Sequence, residues 1–265
     1  MSTPDSAHST VPVSGGEGEV LGCPTTAHSK IMGAGAAVIQ DFHPIKGICR
    51  HVHGFHFYAH DMSRQVPAHH YCTHLSEDLL QCLIYDSGEP NARLIGVEYI
   101  VSANLYRSAC SIRQLFTVDK SKTAPTAFPP EEKQYWHSHE YEVKGGLISL
   151  PVSQIIPRAV HVEVEKQEFS KIINTYGKTW HFWQVDRGDK LPFGPPSLMM
   201  AFTQPGQINQ DLVKARDESD KVDIHDLVQR REELKREEPI DPLADHWKSG
   251  EAWQAKMEKV PFKGL

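Results

Sequence analysis

The sequence has no long apolar run, no basic stripe and few cysteines. Its longest nearly apolar stretch, IMGAGAAVI at 31–39, falls far short of the roughly 20 residues needed to cross a bilayer. The first twenty residues, MSTPDSAHSTVPVSGGEGEV, carry no basic region followed by an apolar core, so they are not read as a secretory signal. With a net charge of −6 and no long basic stripe, no nucleic-acid partner is expected. Five cysteines, at 23, 49, 72, 82 and 110, form an odd set with no CxxC pair. That pattern argues against a disulfide framework and for reduced thiols in an intracellular compartment. P-loop, GxGxxG and GxSxG motifs are all missing, which leaves nucleotide binding and nucleophile-elbow hydrolysis without support. No internal repeat is visible.

What remains is a chain with enough apolar residues (39%) for one core and a length that suits one large domain. Residues 1–29 are rich in Ser, Thr, Pro and Gly and read as a flexible tail. A short helix is expected over 30–40, and a globular domain over 30–210. QCLIYD (81–86) and ARLIGVEYIV (92–101) flank the turn signal SGEPN and predict a hairpin. SANLYRS predicts a short helix capped by Ser102. YWHSHEYEVKGGLISLP alternates like a strand with a Gly-Gly break. VEKQEFSKIINTYG (164–177) places Phe169, Ile172, Ile173 and Tyr176 on one stripe, with Gly177 as its cap. TWHFWQVD and SLMMAFT predict further strands; the former reads as a core strand ending in a salt-bridged turn. Residues 211–265 read as a charged helical extension docking on the domain. Ile224, Leu227, Val228 and Leu234 form its narrow stripe, and Trp247, Trp253 and Met257 are its anchors. The fold class expected is α+β: one mostly antiparallel sheet, one long amphipathic helix and a helical C-terminal arm.

Histidine is the chemistry-bearing residue. FHFYAHDMSRQVPAHHYCTH (55–74) holds five histidines and Cys72. His56 and His60 are four apart, as are His70 and His74. On a helix each pair could share an ion; on a strand the same spacing separates them by roughly 13 Å. Pro67, Tyr71, Cys72 and Thr73 favour extended backbone, so ligands must come from a second element. WHSHEYEV is the best one, because His137 and His139 share a face if it is a strand. Glu142 or Glu140 could serve as ligand or base. The candidate metal set is therefore His137, His139, His56, His60, His70, Cys72, His74 and Glu142, for a divalent transition ion: Zn, Fe, Mn or Cu. A thiolate at Cys72 would tilt the choice toward zinc or copper. The competing reading is structural, with histidines bonded to carboxylates such as Asp61, Asp86, Glu98, Glu140 and Glu142.

Several blocks, in order, carry a family resemblance: GFHFYAHDMSRQVPAHHYCTHLSEDLLQCLIYDS, ARLIGVEYIVS, WHSHEYEV, TYGKTWHFWQVDRGDKLPFGPPSLMMAFT and DPLADHW. From about residue 30 to 247 the chain resembles the oil body-associated protein family, first catalogued as a domain of unknown function and found in plants, fungi and bacteria. The resemblance implies a peripheral protein of the lipid-body surface, since plant members associate with seed oil bodies and help keep them small. It supplies no catalytic residues. The chain departs from the family's pattern at 109–128, where ACSIRQLFTVDKSKTAPTAF separates intact flanks. This is a surface-loop insertion or a retained intron, and Cys110 within it is given no role.

Overall fold

A computed structural model describes residues 22–107, 128–151 and 155–264. The tail expected over 1–29 and the insertion expected over 109–128 fall largely outside these residues. Four strands follow one another as an antiparallel meander: β1 (Arg50–Tyr58), β2 (Asp61–Ser76), β3 (Leu79–Tyr85) and β4 (Leu94–Ser102). β6 (Thr175–His181) and β7 (Ser197–Met200) fill the gap between β4 and β1. The ring β4-β3-β2-β1-β7-β6 closes through β6 pairing with β4, giving a six-stranded antiparallel barrel with no free edge. The mixed α+β class and antiparallel pairing match the expectation; the closure depends on pairings between strands remote in sequence.

Eight α-helices accompany the strands among the described residues. They are α1 (Ala27–Ile39), α2 (His43–Lys46), α3 (Ala103–Arg107), α4 (Pro130–Lys133), α5 (Glu140–Lys144), α6 (Arg158–Ile172), α7 (Gln210–Asp220) and α8 (Ile224–Arg230). Ser102 caps α3 as expected, its Oγ accepting from the amide of Leu105 at 3.1 Å. α1 begins at Ala27, earlier than the composition suggested, and buries none of its residues. The C-terminal arm is less helical than expected: beyond Arg230, among the described residues, only a 3-10 turn at His246–Ser249 is formed. Leu227 and Leu234 are buried, Trp247 packs on Phe57 and Trp253 on Tyr135, but Val228 and Met257 are exposed.

Two expected elements change type. The segment 137–143 is not a continuous strand. β5 is only His137–Ser138, pairing with Tyr176 and Gly177, because β7 occupies the same edge of β6 from Thr179 onward. His139 then turns the chain into α5, which buries Glu142 and Val143. The helix expected to run to Gly177 stops at Ile172, and Thr175–His181 is strand. Thr, Tyr and Trp in TYGKTWH suit a pleated surface better than a helix. Tyr176 stacks on Tyr106 with centroids 3.9 Å apart.

Strand alternation divides the histidines between two faces. On β1 and β2, His56 and His70 point into the barrel, whereas His51, His53 and His69 point out. Inside, an apolar layer of Val66, Ala68, Ile84 and Met199 lies at one end. Cys72, Leu80, Cys82 and Ile100 form another. Cys72 and Cys82 face each other in the β2–β3 register and form a disulfide. The expectation of reduced thiols throughout therefore fails at this pair. A separation of ten residues across a hairpin has no spacing signature, and only the register brings the two sulfurs together.

Candidate metal centre

Between the two apolar layers the barrel holds a polar cluster. Glu98 of β4 is its hub, with a carboxylate between two pairs of imidazoles. Oε2 lies 2.8 Å from His70 Nε2 and 3.9 Å from His56 Nε2. Oε1 lies 3.3 Å from Nε2 of both His137 and His139. Two triads thus share one carboxylate, His56–His70–Glu98 and Glu98–His137–His139, and within each the ligand atoms lie within 4.8 Å of one another. The pairs adjoin, since the rings of His56 and His137 have centroids 5.8 Å apart. His181 of β6 stands behind, its Nε2 3.4 Å from His56 Nδ1.

The protonation pattern follows from the neighbours. Thr175 Oγ1 donates to the carbonyl of Ile172 at 2.7 Å, so it accepts from His139 Nδ1, also at 2.7 Å. His139 therefore carries its hydrogen on Nδ1. Burial holds the ring below its ordinary pKa, more strongly than Glu98 raises it. His70 Nδ1 lies 3.4 Å from the carbonyl of Val52, and its Nε2 lies 2.8 Å from Glu98 Oε2. His137 is fully buried, and neither of its ring nitrogens has a well-aligned hydrogen-bond partner among the described residues. Burial and the neighbouring His70 hold His56 well below its usual range; burial brings His181 to about 3. Burial alone would raise Glu98, but His137, His139 and His70 outweigh it and keep the carboxyl well below its usual value. The hub is a buried carboxylate ringed by imidazoles.

Space for the cluster is kept by Gly177. A Cβ there would fall 2.0 Å from Glu98 Oε1, 2.7 Å from His137 Nε2 and 2.8 Å from His139 Nε2. The C-terminal segment fixes the geometry from outside. Asp245 accepts from the amide and the hydroxyl of Ser138, at 2.9 and 2.7 Å, and so pins the residue between His137 and His139. Arg216 and Arg231, both buried, donate to carbonyls of Val143, Gly146, Leu147 and Ile148 and hold the chain that follows α5.

Of the residues singled out in the sequence, His56, His70, His137 and His139 converge. Glu142 borders them with Oε2 3.9 Å from His139 Nε2; burial, then Glu98 and Asp245, push its carboxyl well above the usual range. Three do not belong to the cluster. His60 is exposed in the β1–β2 turn and meets Gln254; His74 lies exposed at the end of β2 and meets Arg50. Cys72 is engaged with Cys82 and offers no thiolate. Glu98, His181 and Gly177 were not among the expected site residues. The available signal for Glu98 was a lone carboxylate inside the apolar strand LIGVEYIVS, at the same parity as Gly96 and Ile100.

No solved structure matches the chain. Among curated proteins it is 45% identical over 194 residues to oil body-associated protein 1A of Zea mays, covering 73% of this chain and 71% of that protein. It is 38% identical over 245 residues to oil body-associated protein 1B of Arabidopsis thaliana, covering 92% and 90%. With oil body-associated protein 2B of Zea mays it shares 37% over 254 residues, covering 94% and 91%. The family model described as "Protein of unknown function (DUF1264)" matches residues 42–114 and 120–235. The chain therefore belongs to the DUF1264 family, together with the oil body-associated proteins.

Proposed function

We propose that this chain is a metal-binding protein whose His/Glu centre lies inside the barrel, and that it works at the surface of lipid bodies. One observation carries the first part: two histidine pairs, His56 with His70 and His137 with His139, converge on the single buried carboxylate of Glu98, with the ligand atoms of each triad within 4.8 Å of one another. A buried carboxylate carries a large desolvation cost, and a cation held by it and the imidazoles offsets that cost. Neutral imidazole and carboxylate, without thiolate, suit borderline divalent ions such as zinc, iron, manganese or copper. Each triad is two histidines and one carboxylate, a set that leaves coordination positions open for a reacting ligand. The test is elemental analysis of the full chain purified without chelators. Near-stoichiometric metal is expected; less than about a tenth of an equivalent would remove the reading.

The second part rests on the printed names of the relatives and on α1. Ile31, Met32, Val38 and Ile39 are exposed on a helix that buries nothing against the barrel. Among the described residues no helix is long and apolar enough to cross a membrane, so attachment through an apolar helix face is the mode supported. A fluorescent fusion is expected on lipid bodies in lipid-loaded cells and to disperse when residues 22–40 are deleted. A diffuse distribution of the intact fusion would contradict this part.

A further inference from the structure

The centre is not sealed. A cavity of about 80 Å³ reaches it, bordered by His56, His70, Glu98, His139 and Glu142. Its walls are aliphatic: Val52, Leu80, Ile100, Ile148 and Ile172. Its mouth carries Arg50, His74, Glu77, Asp78 and Lys171. The mouth charges are of both signs and partly engaged, since Arg50 pairs with Glu168 and Asp78 accepts from Ser102. The cavity therefore has a polar floor, an apolar sleeve and a rim of mixed charge.

The charge of the floor selects the ligand. A divalent ion bound by Glu98 and neutral imidazoles carries a charge that this one carboxylate does not cancel. Within a low-dielectric sleeve that excess favours an anionic oxygen ligand. The sleeve in turn favours an aliphatic body, because every methylene placed there leaves water. We propose that the cavity binds a short, unbranched aliphatic monocarboxylate, with its carboxylate on the ion held by Glu98 and the histidines and its chain along the sleeve. The reverse orientation would set an apolar chain end against the imidazoles and Glu98. This assignment rests on the metal reading above and extends it to a ligand class.

The full chain loaded with cobalt(II) supplies the test. Acetate, butyrate and hexanoate are titrated while the visible cobalt absorption is followed, with hexanol and hexylamine as comparisons. All three carboxylates are expected to shift the band, with affinity rising about fourfold per added methylene. Hexanol and hexylamine should leave the band unchanged. Calorimetry should detect no hexanoate binding to metal-free protein. Ile100→Trp, which narrows the sleeve, should keep its cobalt and lose the dependence on chain length. The proposal is overturned if cobalt binds stoichiometrically but carboxylates leave its spectrum unchanged. Equal affinity for acetate and hexanoate in the unaltered chain, or hexanoate binding without metal, would also overturn it. Failure of the chain to take up cobalt would instead overturn the metal reading, and this assignment with it.

Discussion

Two histidine clusters occupy opposite faces of β1 and β2, and they are built on different principles. Outside the barrel, His53 lies opposite His69 in the register and stacks on it with centroids 3.7 Å apart. His51 bonds His69 at 3.0 Å and stacks on Tyr71. His53 Nδ1 donates to Asp220 at 2.9 Å, and the same carboxylate accepts from Ser149 and Ser219. The outer carboxylate is thus surrounded by donors, and it clips the end of α7 and the 149 loop onto the sheet. Inside, the one carboxylate of Glu98 is shared by four imidazoles, those of His56, His70, His137 and His139. The same residue types, a few positions apart on the same strands, make a clamp between elements on one face and a converging donor set on the other. The difference lies in how many rings each carboxylate gathers.

Substitutions at the two carboxylates separate these roles most sharply. Glu98→Gln keeps the shape and removes the charge, and metal affinity is expected to fall at least about 100-fold, read by metal content after dialysis. Asp220→Ala should leave metal content unchanged and lower stability by roughly 3 kcal/mol, because it strands His53 in a buried site; denaturant unfolding reads this. A reversal, with Asp220→Ala losing metal and Glu98→Gln keeping it, would break the comparison.

Gly177→Ala places a methyl where the inner carboxylate and two imidazoles meet, and is expected to abolish metal binding while leaving His51, His53 and His69 in place. The check is metal content together with the histidine resonances of the outer cluster. Asp245→Asn loosens Ser138 without touching a ligand, and should weaken metal affinity about tenfold, as losses behind a ligand commonly do. Full affinity in Asp245→Asn would show that the C-terminal segment does not position His137 and His139.

Acid provides the mildest test. Burial lowers His51 from 6.5 to about 4, and His181 from 6.5 to about 3. Each stays neutral in the folded chain, while the unfolded chain takes up a proton below 6.5. Folding stability of the metal-free protein therefore falls as pH drops from about 6.5 toward 4. Glu98 and Asp220, held below their ordinary values, add losses at lower pH. Thermal unfolding across that range should show a continuous decline; a flat profile would mean that these rings are hydrated and the clusters open.

Much of this was legible in the residues. The hairpin around SGEPN and the extended 67–76 segment follow from local pattern. So does the inference that four-apart histidines on a strand need partners from WHSHEYEV, and His56 and His70 do meet His137 and His139 across the barrel. The rest depended on tertiary placement. Gly177 looks like a helix cap in sequence but keeps space beside Glu98, because β6 claims Tyr176 first. His74 has the right residue type and parity yet lies at the end of β2, beyond the cluster. Cys72 looked like a soft ligand until the register set Cys82 opposite it. Glu98 was legible as a buried hydrogen-bonding carboxylate, but its place at the hub depends on barrel closure, which the periodicity of single strands does not encode.

The central claim is that an ion sits among Glu98 and the inner imidazoles, and X-ray absorption on the natively purified, metal-bearing protein addresses it directly. The account predicts a first shell of nitrogen and oxygen only, at about 2.0–2.2 Å, with imidazole scattering from at least two histidines. That signal should vanish in Glu98→Gln and persist in Asp220→Ala. A sulfur shell near about 2.3 Å, or a metal signal unchanged in Glu98→Gln, would contradict it.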